Sequence, residues 1–299
     1  MIETDLDRFA GFCEQHLRLE NGRPLVLEPF QRRILADYFA GTTETLVLVS
    51  KKNGKSTLLA ALALWHITAQ RDAECVIAAA ARDQAQIMLR QAGGFIRRSE
   101  ALRKRLRVTQ REVVSLVDGG RIRCLASDVD TADGVIVTLA LVDELHRHKS
   151  ADLYGVLRDG LGPRGGQLIT ISTAGDDEGS PLGKMRSAAL ALPGLHRDGA
   201  YRYARSHDGG FVMHEWSLDA SDDLDDLELV ATANPASWQD VAALRRRRES
   251  PTMTSWQWAR FACGVWVQGE NTAVSPVEWG RRGGPGRVDP GRRVGQSRR

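Results

Sequence analysis

The sequence predicts an α/β fold: a mostly parallel central sheet flanked by helices, followed by a small C-terminal helical subdomain. Three observations carry this. Near-continuous apolar runs recur at 46–49, 75–80, 136–142 and 167–172, and such runs suit strands covered on both faces. Stretches of helical character separate them, as parallel strands joined by crossovers require. Several runs also end in residues with chemistry to offer, at the edge where open α/β sheets bind ligands.

In chain order, 5–20 and 29–40 have the pattern of amphipathic helices that precede the first strand. That strand breaks into Asn53-Gly54-Lys55-Ser56-Thr57 and opens an Ala/Leu-rich helix over about 56–70. A strand at 75–80 follows, then a helix from Arg82-Asp83-Gln84-Ala85 to about Glu100. Residues 113–117 and 121–125 flank Asp118-Gly119-Gly120, a hairpin signal. The run 136–142 ends in Asp143-Glu144, and 167–172 runs into Thr173-Ala174-Gly175. A helix near 182–192 precedes strands near 201–204 and 211–216. Six acidic residues between Asp219 and Glu228 mark the exit from the core, and 229–279 read as a small helical segment.

Strand, glycine turn, then Lys-Ser at a helix start is the order of a phosphate cradle, because unpaired N–H groups of the turn and helix N-terminus point at the anion. Lys55 supplies a point charge, and the Ser56 hydroxyl is placed as a Mg²⁺ ligand. The loop departs from G-x-x-x-x-G-K-[ST], since Val49 stands at the first glycine. Downstream, Asp143 at a strand end is placed to hold the Mg²⁺ shell and Glu144 to polarise an attacking water. Hydroxyls of Ser172 and Thr173, with Ala174 and Gly175, lie where a γ-phosphate is sensed. Together these predict a P-loop nucleoside-triphosphatase that uses Mg²⁺; ATP as its nucleotide is what the resemblance described next implies. His146 and His148 form an H-x-H without further ligands and read as groups beside the Asp-Glu pair or on the surface.

These residues resemble the large subunit of tailed-phage terminase, the ATPase that packages DNA into capsids. The resemblance rests on Lys51-Lys52-Asn53-Gly54-Lys55-Ser56-Thr57, on Ser127 to Gly134 with Leu141 to His146, and on Leu157 to Arg164 with Ile171 to Gly175. Leu27 to Gln31, Ala233-Asn234-Pro235 and the stretch from Trp256 to Trp266 add to it. It implies a RecA-like (ASCE) P-loop fold, with nucleotide bound by Ser50 to Thr57 and Gln31 reading the adenine. Glu144 and Lys55 are then catalytic, with Ser56 and Asp143 at the metal and 172–175 as the coupling motif. It also implies double-stranded DNA, a portal protein and a small terminase subunit as partners, with a homo-oligomeric ring on the portal in the cytoplasm of a bacterial host. Such rings complete each site with a neighbour's arginine. Arg164, on a Gly-Pro turn, is the candidate, with Arg158 and Arg82 as alternatives; a cap on a helix C-terminus is its bland role.

The expected domains are 1–220 for the ATPase core, 221–279 for the helical linker and 280–299 for a disordered Arg/Gly-rich tail. The net charge is +3, yet the tail holds seven of the 41 Lys and Arg and only one of the 38 Asp and Glu. The body is therefore slightly acidic. The tail reads either as a non-specific nucleic-acid binder or as a blank end left by truncation. After Trp279 there is no room for the family's nuclease domain, so DNA cutting is not expected of this chain. Four scattered cysteines without C-x-x-C spacing read as reduced thiols, and no apolar run reaches about 18 residues, so no membrane is expected. The basic run 244–248 reads as a solvated helix face. The leading function is an Mg-ATP-dependent packaging motor. The alternatives are a catalytically weak DNA- or portal-docking remnant, and another P-loop helicase-like ATPase or kinase.

Overall fold

A computed structural model of the 299-residue chain describes residues 3–79, 82–125, 136–148 and 150–267, with side chains of 82–85 left aside. The run Ser127 to Gly134, the Arg82 side chain, Glu278-Trp279 and the 280–299 tail lie outside the described residues. Helices α1 (Asp5–His16) and α2 (Pro29–Phe39) lead into β1 (Glu44–Leu48), α3 (Lys55–Ala69) and β2 (Glu74–Ala79). Then come α4 (Arg82–Arg98), α5 (Glu100–Arg105), β3 (Leu106–Val108), β4 (Glu112–Ser115) and β5 (Arg121–Leu125). The chain continues through β6 (Leu139–Asp143), α6 (Asp152–Asp159), β7 (Gln167–Ser172) and α7 (Pro181–Leu190). It closes with β8 (His196–Asp198), β9 (Tyr201–Arg205), β10 (Phe211–Trp216) and the helices α8 (Leu227–Thr232), α9 (Val241–Arg248) and α10 (Ser255–Phe261).

One 10-stranded sheet runs in the order β3-β4-β5-β2-β6-β7-β1-β10-β9-β8. The six strands from β5 to β10 are parallel, and an antiparallel pair closes each edge. Both faces are covered, which accounts for the near-continuous apolar runs. Val47, Ile77, Leu141 and Ile169 face the layer of α1 to α4, whereas Leu46, Val76, Ala140 and Leu168 face α6 and α7. The sheet thus has the mostly parallel, helix-flanked form that the sequence predicts. It also holds the RecA-like signature: β7 lies between β1, which leads into the phosphate loop, and β6, which ends in Asp143.

The C-terminal helices build their own apolar cluster around Trp258, Val230, Leu244 and Cys263. Trp258 is 1% exposed, and its Nε1–H donates to the Leu224 carbonyl at 2.6 Å. The four cysteines are free thiols, with Cys13, Cys75 and Cys263 buried. Trp258→Ala is expected to cost about 3–5 kcal/mol, the usual penalty for emptying a buried aromatic site. Chemical denaturation of the variant and the parent checks this.

Candidate active site

The phosphate loop is shaped by two left-handed residues, Lys52 (φ 75°) and Gly54 (φ 74°). Val49 instead continues β1 in extended pairing, its N–H donating to Ser172 O at 3.1 Å, so no glycine is needed there. Lys52 adopts a conformation costing on the order of 1 kcal/mol for a side-chain-bearing residue. It is held by Trp238, whose indole N–H donates to the Lys52 carbonyl at 2.7 Å. The same indole sits 3.1 Å from where a Cβ on Gly54 would lie, and Gln31 Nε2 is 3.6 Å from that point. Gln31 Oε1 accepts from Glu28 N–H, leaving its amide N–H₂ toward the loop.

Lys55 is buried, and its ammonium donates to Val49 O at 3.0 Å and Ser50 O at 3.1 Å. Two of three protons are thereby spent inside the loop, and the third is available to a phosphate. Burial lowers its pKa, opposed by Glu144 and Asp143. The side chains of Ser50 and Asn53 are engaged within the protein. Ser50 Oγ donates to Ala262 O, and Asn53 Nδ2 donates to Ser50 O and to Asn234 Oδ1. The Thr57 hydroxyl accepts from Gln91 on α4. Lys51 lies with its ammonium 3.3 Å from the Phe261 ring centroid.

Asp143 and Glu144 meet this loop from the end of β6. Burial and the neighbouring Glu144 push the Asp143 carboxyl up to about 6, opposed by Lys55 and the Ser56 hydroxyl. Asp143 Oδ1 is buried with no hydrogen-bond partner. An orphaned carboxylate oxygen beside a serine hydroxyl fits a hard divalent cation that completes its shell with phosphate and water, as Mg²⁺ does. Among the described residues no cluster of three His, Cys, Asp or Glu offers an all-protein metal cage. Glu144 is in the left-handed region (φ 51°). Burial raises its pKa, but the His146 hydrogen bond and the Lys55 charge outweigh that and hold it well below the usual carboxylate range. His146 Nδ1 is 2.9 Å from Glu144 Oε2, and the Thr173 hydroxyl donates to the same oxygen at 3.2 Å. The two histidines separate: His146 serves Glu144, and His148 is buried with Nε2 unpartnered.

The 172–175 turn is clasped by the helical segment. His146 Nδ1 is 3.0 Å from Ser172 Oγ, and Arg260 Nε donates to Ala174 O at 2.7 Å while its Nη1 binds Asp176. A Cβ on Gly175 would lie 2.6 Å from the Trp266 ring, so that approach requires glycine. Arg164 does not join this site. It precedes β7 and donates to the Asp72 and Arg71 carbonyls after α3, roughly 20 Å from Ser172 along the six-residue strand. Arg158 is likewise at that opposite edge, paired with Glu44 at the start of β1. Asn234, Trp238, Arg260 and His146 were not among the residues assigned to the site. Asn234 lies in the Ala-Asn-Pro run and Arg260 in the Trp256 to Trp266 stretch, both noted for the resemblance, and His146 lies beside the Asp-Glu pair; Trp238 carries no local signal.

Residues 30–189 match the family described as terminase large subunit, ATPase domain. The chain belongs to that family. A curated relative, the terminase large subunit of Enterobacteria phage HK97, is 28% identical over 246 residues, covering 77% of this chain and 46% of the relative. The chain therefore spans about half the length of that relative. The fold is shared with the HK97 large terminase structure, at TM-score 0.72 and 22% identity over 87% of this chain and 55% of that one. A large terminase of a thermophilic bacteriophage in complex with ADP has the same fold, at TM-score 0.56 and 8% identity over 80% and 53%.

The raised Asp143 pKa has a consequence for stability. A carboxyl at about 6 when folded and near 3.8 when unfolded binds more protons in the folded state between those values. Its ionisation then removes stability as pH rises from about 4 to about 6. Asp143→Asn is expected to stabilise the nucleotide-free protein at pH 8 by on the order of 3 kcal/mol, read as a higher melting temperature, and to leave it nearly unchanged at pH 4. Calorimetry at both pH values measures the difference.

Proposed function

We propose that this chain is the Mg-ATP-hydrolysing part of a phage DNA-packaging motor, coupled to translocation of double-stranded DNA. The observation that supports this best is the convergence of Lys55, Asp143 and Glu144 at the ends of β1 and β6, with the coupling turn of β7 between them. The family assignment and the HK97 relative's name supply the packaging context.

In this proposal the backbone N–H groups of 53–57 wrap the phosphates, and Lys55 donates its third N–H to the terminal ones. Gln31 offers its amide to the base edge. Ser56 and Asp143 hold Mg²⁺, which when bound neutralises charge on the phosphate oxygens. Glu144 orients the attacking water and takes its proton. In the present arrangement that carboxylate is engaged by His146 and Thr173. It becomes an effective base once that engagement loosens, which ties hydrolysis to the position of the 172–175 turn. Assembly as a ring on a portal, with a small terminase subunit, in the host cytoplasm, completes the proposal. No helix among the described residues is long and apolar enough to cross a membrane.

Phosphate release and nucleotide-binding assays test it. Lys55→Ala is expected to abolish turnover and weaken ATP binding. Glu144→Gln is expected to retain Mg-ATP binding while hydrolysing at least ~100-fold more slowly. Parent-like turnover in either variant contradicts the assignment.

A further inference from the structure

Among the described residues Trp238 is the only tryptophan, tyrosine or phenylalanine that stands exposed, at 47%. The chain on either side of it is firmly held. Ala236 N–H donates to Asn53 Oδ1 at 3.1 Å, and Ser237 gives its N–H and its hydroxyl to the Glu28 carboxylate at 3.0 and 2.9 Å. These bonds fasten the segment to the phosphate loop on one side and to the N-cap of α2 on the other. The indole N–H is committed to the Lys52 carbonyl, and the adjoining edge of the benzo ring lies against Gly54. What remains open is ring face and the far edge, fixed in place beside the phosphate loop.

Bracing the loop accounts for the N–H and the touching edge but gives no role to the open face. Single exposed apolar side chains are common, so exposure alone decides nothing; position does. Gln31 Nε2 lies 3.6 Å from the same Cβ point on Gly54 that the indole approaches to 3.1 Å. The amide oxygen of Gln31 is taken by Glu28 N–H, so this side chain presents its two N–H donors beside an aromatic ring. A flat π-surface with donors at its rim is the pairing that holds a nucleobase: the base stacks on the ring, and acceptors along its edge take the amide protons. Phe30, the neighbour of Gln31 on α2, is 7% exposed and packs edge-on to Trp216 with centroids 5.7 Å apart, so it has no face to offer. The aromatic surface at Gln31 comes from the helical segment and not from α2.

We propose that Trp238 is the platform on which the nucleobase stacks and, with Gln31, a determinant of base recognition. This rests on the nucleotide site proposed above and adds to it a residue from outside the phosphate loop and α2. Stacking covers the exposed face and is tolerant of base identity, while the Gln31 donors select the edge. The helical segment then reads the base as well as bracing the loop that takes the phosphates.

Titration calorimetry on the full chain with Mg-ATPγS, and with Mg-tripolyphosphate as a phosphate chain that carries no base, separates stacking from bracing. Trp238→Phe removes the indole N–H and keeps a ring, whereas Trp238→Leu removes both. Trp238→Leu is expected to bind ATPγS at least ~10-fold more weakly than Trp238→Phe does, while the two variants bind tripolyphosphate alike. A side chain that only braces the loop would lower both ligands in parallel. Equal ratios of ATPγS to tripolyphosphate affinity in the two folded variants, as judged by circular dichroism, therefore overturn the proposal. The parent alone supplies a second readout. If it binds tripolyphosphate as tightly as ATPγS, no base is being held, and the proposal falls while the phosphate site stands. A parent that binds neither ligand contradicts the nucleotide site itself, and the stacking role with it.

Discussion

The amide–amide hydrogen bond between Asn53 and Asn234, 3.1 Å long and wholly buried, ties the phosphate loop to a segment 181 residues away. Each amide is fully committed. Asn53 also reaches Ser50 O and accepts from Ala236 N–H, and Asn234 donates to Val230 O and Ala262 O. Around them, Ser50 Oγ and Lys51 N–H donate to the carbonyls of Ala262 and Phe261. Leaving any one of these groups unpaired costs about 1–3 kcal/mol, so loop and segment hold one another in a single arrangement. A loop with valine at its first glycine position keeps its curvature because this network, together with Trp238 on Lys52, sets it from outside.

The same segment grips the other side of the site. Arg260 on α10 binds the Ala174 carbonyl, and Trp266 packs against Gly175. Thr173 and Ser172 in that turn contact Glu144 and its partner His146. Phosphate loop, carboxylate pair and the 172–175 turn are therefore all in contact, directly or through one partner, with one helical unit. In the mechanism proposed above, a change at the terminal phosphate would reach it by two routes, through Asn234 and through Arg260. The charge balance favours such a change: Lys51, Lys55 and Arg260 all have their pKa values lowered by burial, so they gain from an incoming anion.

Much of this was legible in the sequence because the chemistry is local there. The strand, the Asn-Gly-Lys-Ser-Thr turn and the helix follow one another, and β6 ends in its two carboxylates. The helical grip was not legible, since Asn53 and Asn234 are ordinary polar residues until the fold sets them face to face. Three-residue edge strands such as β3 and β8 are too short to show a period. Arg164 was expected to act on a neighbour's nucleotide, and within its own chain topology places it away from the site. A residue just before a parallel strand lies at the edge opposite the ligand site, and Arg164 caps carbonyls there.

The proposed nucleotide site is built jointly by the sheet and the helical segment. Its most direct test is nucleotide affinity in Asn234→Ala, measured with a fluorescent ATP analogue well below the variant's melting temperature. Asn53 then loses one of its partners, and the loop is released on that side. A fall of at least ~10-fold in affinity, in a protein whose circular dichroism matches the parent, is the predicted result and corresponds to about 1.4 kcal/mol. Parent-like affinity and turnover in the folded variant would contradict the claim.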